Sequence, residues 1–134
     1  MVYALDTNII IHLLRQAPAV MAHRDATIDK GGTLIIPPYV NFEIQRGFQY
    51  VPAPSKEQIY KQLCERCGIG EMNKGAWERA AVLYGDLRKK RLAVGDADLL
   101  IAAFCIENDY ILVTNNVKHF GLIDGLEIED WTAE

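Results

Sequence analysis

No stretch of this chain approaches the roughly 18–20 apolar residues that a membrane-spanning helix requires. Its start lacks the basic segment and small-residue cleavage site of a secretory leader, so a cytoplasmic protein with no membrane partner is expected. Cysteine is scarce. Three residues, an odd number with no small-domain spacing, argue against a disulfide framework and fit a reducing compartment. Positive charge is also in deficit, at a formal net charge of −4. That balance argues against holding nucleic acid by a broad electrostatic field, although an acidic metal site would shift it the same way. What remains is ordinary globular composition: half the residues are apolar and 24% are charged. Repeats, low-complexity tracts and linkers are absent, so residues 1–134 read as a single domain of α/β class.

Along the chain, strands and helices alternate. Val2–Leu5 is a short apolar run that stops at Asp6, Thr7 and Asn8, residues suited to capping a helix. Ile9, Ile10, Leu13 and Leu14 then recur at helical spacing, with Pro18 interrupting and a helix resuming over 20–30. Gly31 and Gly32 break the chain before a second β-branched run, 33–36. Pro37 and Pro38 end that run and open a helix over 40–50. Ser55 with Gln58 reads as a capping box for a helix over 56–67. A long helix is expected over 74–92, with Trp77, Ala80, Ala81, Tyr84 and Leu87 facing inward. The segment 96–107 is apolar almost all round, which marks a buried helix. Ile111–Val113 is a third core strand, and 126–128 a short last one. Strands separated by helices predict a mostly parallel sheet covered on both faces.

In such a sheet, ligands bind beyond the carboxyl ends of the strands. Asp6 follows the first strand, Glu43 sits on the helix after the second, and Thr114, Asn115 and Asn116 follow the third. Asp96 and Asp98 head the buried helix. Carboxylates that meet without matching cations repel one another and resist ionisation. A hard divalent ion resolves that conflict, and an all-oxygen set suits Mg²⁺ or Mn²⁺. Such an ion can lower the pKa of water and clamp a phosphate oxygen, which points to phosphodiester hydrolysis.

Each residue also has a plainer role to be weighed. Asp6 alone reads equally well as a helix cap. Asp96 suits the N-cap of its helix, with Asp98 in the first turn favoured by the dipole. Glu43 alone is an ordinary solvated residue, and Asn115 and Asn116 are common turn formers. Their convergence on one rim of the sheet carries the functional reading. Cys64 and Cys67 form a C-x-x-C on a predicted helix without a second pair, which does not make a zinc site. Arg88, Lys89, Lys90 and Arg91 read first as a solvated helix end, with contact to RNA phosphate as the alternative. Arg46 is placed equally to line the site or to pair with Glu43. His12, His23 and His119 form no ligand set, and Trp77 and Trp131 suit a core or an interface.

These motifs resemble the PIN-domain ribonuclease toxins of VapC type. The resemblance rests on L-D-T-N at 5–8, E-I-Q-R-G within 39–47, G-D-A-D-L-L-I-A-A at 95–103, L-V-T-N-N-V-K-H-F at 112–120 and G-L-E-I-E-D-W at 125–131. It covers nearly the whole chain, in order. It implies a PIN-like three-layer α/β/α sandwich and an Mg²⁺-dependent endoribonuclease, with tRNA the commonest target class, neutralised by a small antitoxin. Position by position it makes Asp6, Glu43 and Asp98 catalytic, with Asp6, Asp98 and Asp96 at the metal and Thr7, Asn8, Thr114 and Asn116 in support. The departures are Asn116 and His119, where many relatives carry acids. A homodimer is expected, and an apolar groove near Phe48, Tyr50, Ile59 and Tyr60 is expected to receive the antitoxin.

Two other readings fit parts of the sequence. A phosphatase using Asp6 as nucleophile would want a second Asp two residues on, where Asn8 stands, and a phospho-acceptor domain would have only Lys118 as its lysine. A PIN-like module that binds RNA or protein without cleaving is left open by Asn116.

Overall fold

The structure, a computed structural model, describes residues 1–133. Four parallel strands form one sheet in the order β2-β1-β3-β4: β1 (Val2–Leu5), β2 (Thr33–Ile35), β3 (Ile111–Val113) and β4 (Ile128–Glu129). The register pairs Ala4 with Ile35 on one side and with Leu112 on the other. All three bonded residues of β3 are buried, as expected of a strand covered on both faces. Seven helices connect the strands. They are α1 (Thr7–Leu14), α2 (Pro18–Asp29), α3 (Pro38–Tyr50), α4 (Pro54–Cys67), α5 (Lys74–Lys89), α6 (Asp96–Asn108) and α7 (Val117–Phe120).

The chain moves from β1 to β2 in one direction across the sheet and from β2 to β3 in the other. Right-handed crossovers therefore place α1 and α2 on one face and α6 on the opposite one. This is the three-layer sandwich expected from the sequence. The direction reverses at β1, so a crevice opens where the carboxyl ends of β1 and β3 splay toward opposite layers. Asp6 is the first residue after β1.

Helix α6 packs against β3, α5 and α3. Its Leu99, Ile101, Ala102, Ala103, Phe104 and Cys105 are all buried, in accord with its all-round apolar sequence. Each large side chain so covered contributes about 1.5–3 kcal/mol relative to exposure. Trp131, fully buried, stacks with His23 of α2 and packs on Tyr3 of β1, so the end of the chain secures the first strand.

Several expectations are corrected. Helix α5 buries Ala76, Ala80, Leu83 and Leu87, while Trp77 and Tyr84 face outward. The face was set by small residues and leucines rather than by the aromatics. The Ser55–Gln58 capping box does not form. Pro54 starts α4 one residue before Ser55 because its fixed φ suits the first helical position, and Glu57 Oε2 instead accepts the Ala53 N–H at 3.0 Å. Gly95, not Asp96, is the N-cap of α6, and Asp96 is the first helical residue. The last strand lies at Ile128–Glu129 rather than 126–128.

Candidate active site

Asp6 is built into the crevice by its backbone first. Its N–H donates to Val113 O at 2.9 Å, extending the β1–β3 ladder by one bond, and its carboxylate then caps α1. Oδ1 accepts the Thr7 N–H at 2.8 Å, and Oδ2 accepts the Thr114 hydroxyl at 2.7 Å. Thr114 is fully buried at the end of β3, and its oxygen also accepts the Asn116 N–H at 2.9 Å. One hydroxyl thus fixes both the first acid and the turn after β3.

Glu43 comes from α3. Thr7 donates its hydroxyl to Glu43 Oε1 at 2.8 Å, and Arg46 Nη2 lies 3.6 Å from Oε2, with the guanidinium stacked over Phe42. Arg46 therefore pairs with Glu43 from the solvent side. Asp98, half-buried in the first turn of α6, has His119 Nδ1 3.7 Å from its Oδ2. Asn116 Nδ2 in turn lies 3.4 Å from the same ring nitrogen, and Asn8 donates to Asn115 at 3.3 Å.

Electrostatics bind the three acids together. Burial pushes the Asp6 carboxyl above its ordinary value; the bonds from Thr114 and Thr7 oppose that rise, and the neighbouring charges of Asp98 and Glu43 add to it. Burial likewise raises Asp98, with His119 pulling it back. No cation answers Asp6. Asp96 stands apart: it is exposed, is not among the carboxylates that act on Asp6, and lines a recess against α5.

The structure thus brings Asp6, Thr7, Glu43 and Thr114 into one bonded chain. Asp98, with Asn116 behind its histidine, acts on that chain through charge, and Asn8 holds the rim. The His119–Asp98 contact was not legible in the sequence, because α7 is a four-residue helix whose placement depends on packing. Cys64 and Cys67 are half-buried, and burial lifts the Cys67 thiol to about 11, so neither is a poised nucleophile.

Beside Glu43 runs a groove of about 300 Å³ between α1, α3 and α4. Ile11, Leu14, Ile44, Phe48 and Val51 make it apolar, and Thr7 and Glu43 lie at one edge. Of the residues expected there, Phe48 lines it, Tyr60 is core, Ile59 is half-buried against the core, and Tyr50 is exposed outside it.

Comparison with known proteins identifies the family. The PIN domain profile matches residues 3–125. The chain is 33% identical to "Ribonuclease VapC2" of Rickettsia felis across 98% of both chains. It is 25% identical to the "tRNA(fMet)-specific endonuclease VapC" of Shigella flexneri, across 97% of this chain and 98% of that one. The crystal structure of VapBC2 from Rickettsia felis bound to a promoter DNA fragment superposes with a TM-score of 0.90 at 28% identity, covering 98% and 99% of the two chains. The chain belongs to the PIN-domain family of VapC ribonucleases. No helix among the described residues is long and apolar enough to cross a membrane.

Proposed function

We propose that this chain is an Mg²⁺-dependent endoribonuclease, with Mn²⁺ as a possible substitute, and the toxin of a toxin–antitoxin pair. One observation carries the reading: Asp6 is a buried carboxylate, held by Thr114 and Thr7, that meets two further acids and no cation. Whether such a site fits the ion is tested by its donors. All are hard oxygens, as Mg²⁺ prefers. Among the described residues, no three His, Cys, Asp or Glu side chains are gathered closely enough to hold an ion by themselves. Mg²⁺ keeps several of its waters and takes one or two carboxylates from a protein, and here Asp6 and Asp98 would supply them. Asp96, turned to its own recess, is left out of the set.

A bound ion supplies positive charge to the scissile phosphate and acidifies water. The rest belongs to the chain. Thr7 holds Glu43 Oε1 at 2.8 Å, and the looser Arg46 contact at 3.6 Å leaves Oε2 able to take the proton of the attacking water. Thr114 and the Thr7 N–H fix Asp6 so that it does not turn away when the site fills. Water attacks phosphorus, and the opposite ester oxygen leaves with a proton from solvent, without a covalent enzyme intermediate.

The Shigella flexneri relative is named for a tRNA, and we assign tRNA as the target class on that basis. The VapBC assembly of the Rickettsia felis neighbour and the apolar groove beside Glu43 support an antitoxin partner, whose basic side chain would enter among the acids. The exposed ring of Phe42 on α3 is consistent with a homodimer, and the reading puts the single-domain chain in the cytoplasm. The test is incubation of the purified chain with a tRNA pool, with Mg²⁺ or with chelator. Mg²⁺-dependent fragments that vanish in Asp98→Asn are expected. Cleavage indifferent to chelator and to Asp98→Asn would remove the proposal, and binding without any cleavage would favour the non-catalytic module.

A further inference from the structure

A second recess, of about 320 Å³, lies between α5 and the first turn of α6. Trp77, Ala80, Ala81 and Tyr84 of α5 form one wall, and Asp96, Leu99 and Leu100 of α6 the other. Trp77 and Tyr84 are 55% and 46% exposed, a costly state for two large rings unless something covers them. They are seven residues apart on one helix face, so about 10.5 Å separates them along the axis. Three stacking gaps of about 3.4 Å span that distance, which leaves room for two bases between the rings. The side chains between are alanines. Arg88, one turn beyond Tyr84, lays its guanidinium over that ring at 5.1 Å. It opens the densest basic run of a chain with net charge −4: Arg88, Lys89, Lys90 and Arg91. Lys90 is tied to Asp124 at 3.0 Å, while Lys89 and Arg91 make no ion pair among the described residues.

From these placements we infer that the recess between α5 and α6 is a stacking subsite for single-stranded RNA: Trp77 and Tyr84 hold two bases, and the 88–91 run takes the adjoining phosphates. Aromatic platforms beside a cationic track are how proteins hold unpaired strands. The choice of RNA as ligand rests on the nuclease reading above. Asp96 adds selectivity. Its exposed carboxylate at the recess can accept a hydrogen bond from an exocyclic amine, as on cytosine N4, whereas at the same position uracil presents the O4 acceptor, which a carboxylate repels. Asp96 and Asp98 share the first turn of α6, so the recess and the acids flank the same helix end. A second copy of the chain suits the recess less well. The rings stand among charged neighbours, Glu78 paired with Lys74 at one end and Arg88 at the other, with a carboxylate inside.

The test uses binding, not cleavage. Fluorescein-labelled, 2′-O-methyl octamers of cytidine and of uridine are titrated into the full chain in chelator, following anisotropy and tryptophan emission. Trp131 is fully buried, so quenching reports on Trp77. Oligo(C) should quench emission and bind more tightly than oligo(U). Trp77→Ala and Tyr84→Ala should each weaken oligo(C) roughly tenfold or more. Asp96→Ala should erase the preference for cytidine, and all three variants, changed at exposed positions, should melt as the parent does. Unchanged affinity in Trp77→Ala and Tyr84→Ala overturns the subsite. So does their conversion of a dimer to a monomer in sedimentation with affinity intact, which makes the face a self-association surface. A chain that binds as described yet never cleaves RNA keeps the subsite and loses the nuclease reading.

Discussion

The Thr114 hydroxyl donates to Asp6 Oδ2 at 2.7 Å, a bond between residues 108 positions apart that joins the carboxyl ends of the two central strands. Both groups are buried, and the same oxygen accepts the Asn116 N–H. Thr114→Val keeps the shape and removes both bonds. Leaving buried polar partners unsatisfied costs about 1–3 kcal/mol. Urea unfolding should show that loss and Thr114→Ser should recover most of it, while a Thr114→Val protein as stable as the parent would deny the hydroxyl its structural role.

Asp6 should respond to pH in the direction opposite to a salt-bridged acid. Its folded-state pKa is raised by burial, so the folded state holds the proton over a range where the unfolded chain has released it. The contribution to stability is complete below the unfolded value of about 3.8 and is lost as pH rises through the elevated folded value. At pH 7 without divalent ion, Asp6→Asn should therefore melt at or above the parent temperature, and the gap should close below pH 4. Added Mg²⁺ should raise the melting temperature of the parent and leave Asp6→Asn unmoved. A parent curve indifferent to millimolar Mg²⁺ would count against the metal.

Glu43→Gln keeps the Thr7 bond and removes the base. RNA cleavage should fall on the order of a hundredfold or more, with binding little changed. Single-turnover assays across pH would show whether a titrating group of the parent has gone; a profile identical in shape and height would place the base elsewhere.

Gly47 lines the groove beside Glu43, and a Cβ there meets nothing within 4 Å. Gly47→Leu fills the groove from a helix position where leucine is also the better helix former. The variant should fold, cleave RNA as the parent does, and lose affinity for a co-expressed partner. Undiminished co-purification would move the partner's seat away from α1, α3 and α4.

Much of this was legible in the amino-acid order. Strands β1 and β3 and helix α6 are buried on nearly every side, so their apolar runs are continuous and admit few alternatives. Asp6, Glu43 and Asp98 could be assembled because a parallel sheet sends its strand ends to one rim. The inner face of helix α5 keeps the expected Ala80 and Leu87 but takes Ala76 and Leu83 in place of Trp77, Ala81 and Tyr84, because its contact with α6 is close and admits alanine and leucine rather than rings. The start of α4 was misplaced because two rules competed there and the proline's fixed dihedral prevailed. Contacts such as His119 with Asp98 depend on how a short helix settles, and no local pattern encodes that.

The placement of β1 between β2 and β3 also has a temporal side. Asp6, just after β1, leaves the ribosome 108 residues before Thr114, just after β3. Pairings at such long sequence separation form late and slowly, since most of the chain must be gathered before they can close. A nascent or truncated chain therefore carries its first acid without the hydroxyl that orients it. The ability to cut would arise only once the segment after β3 has emerged and paired, so the first acid stays unoriented through most of the domain's synthesis.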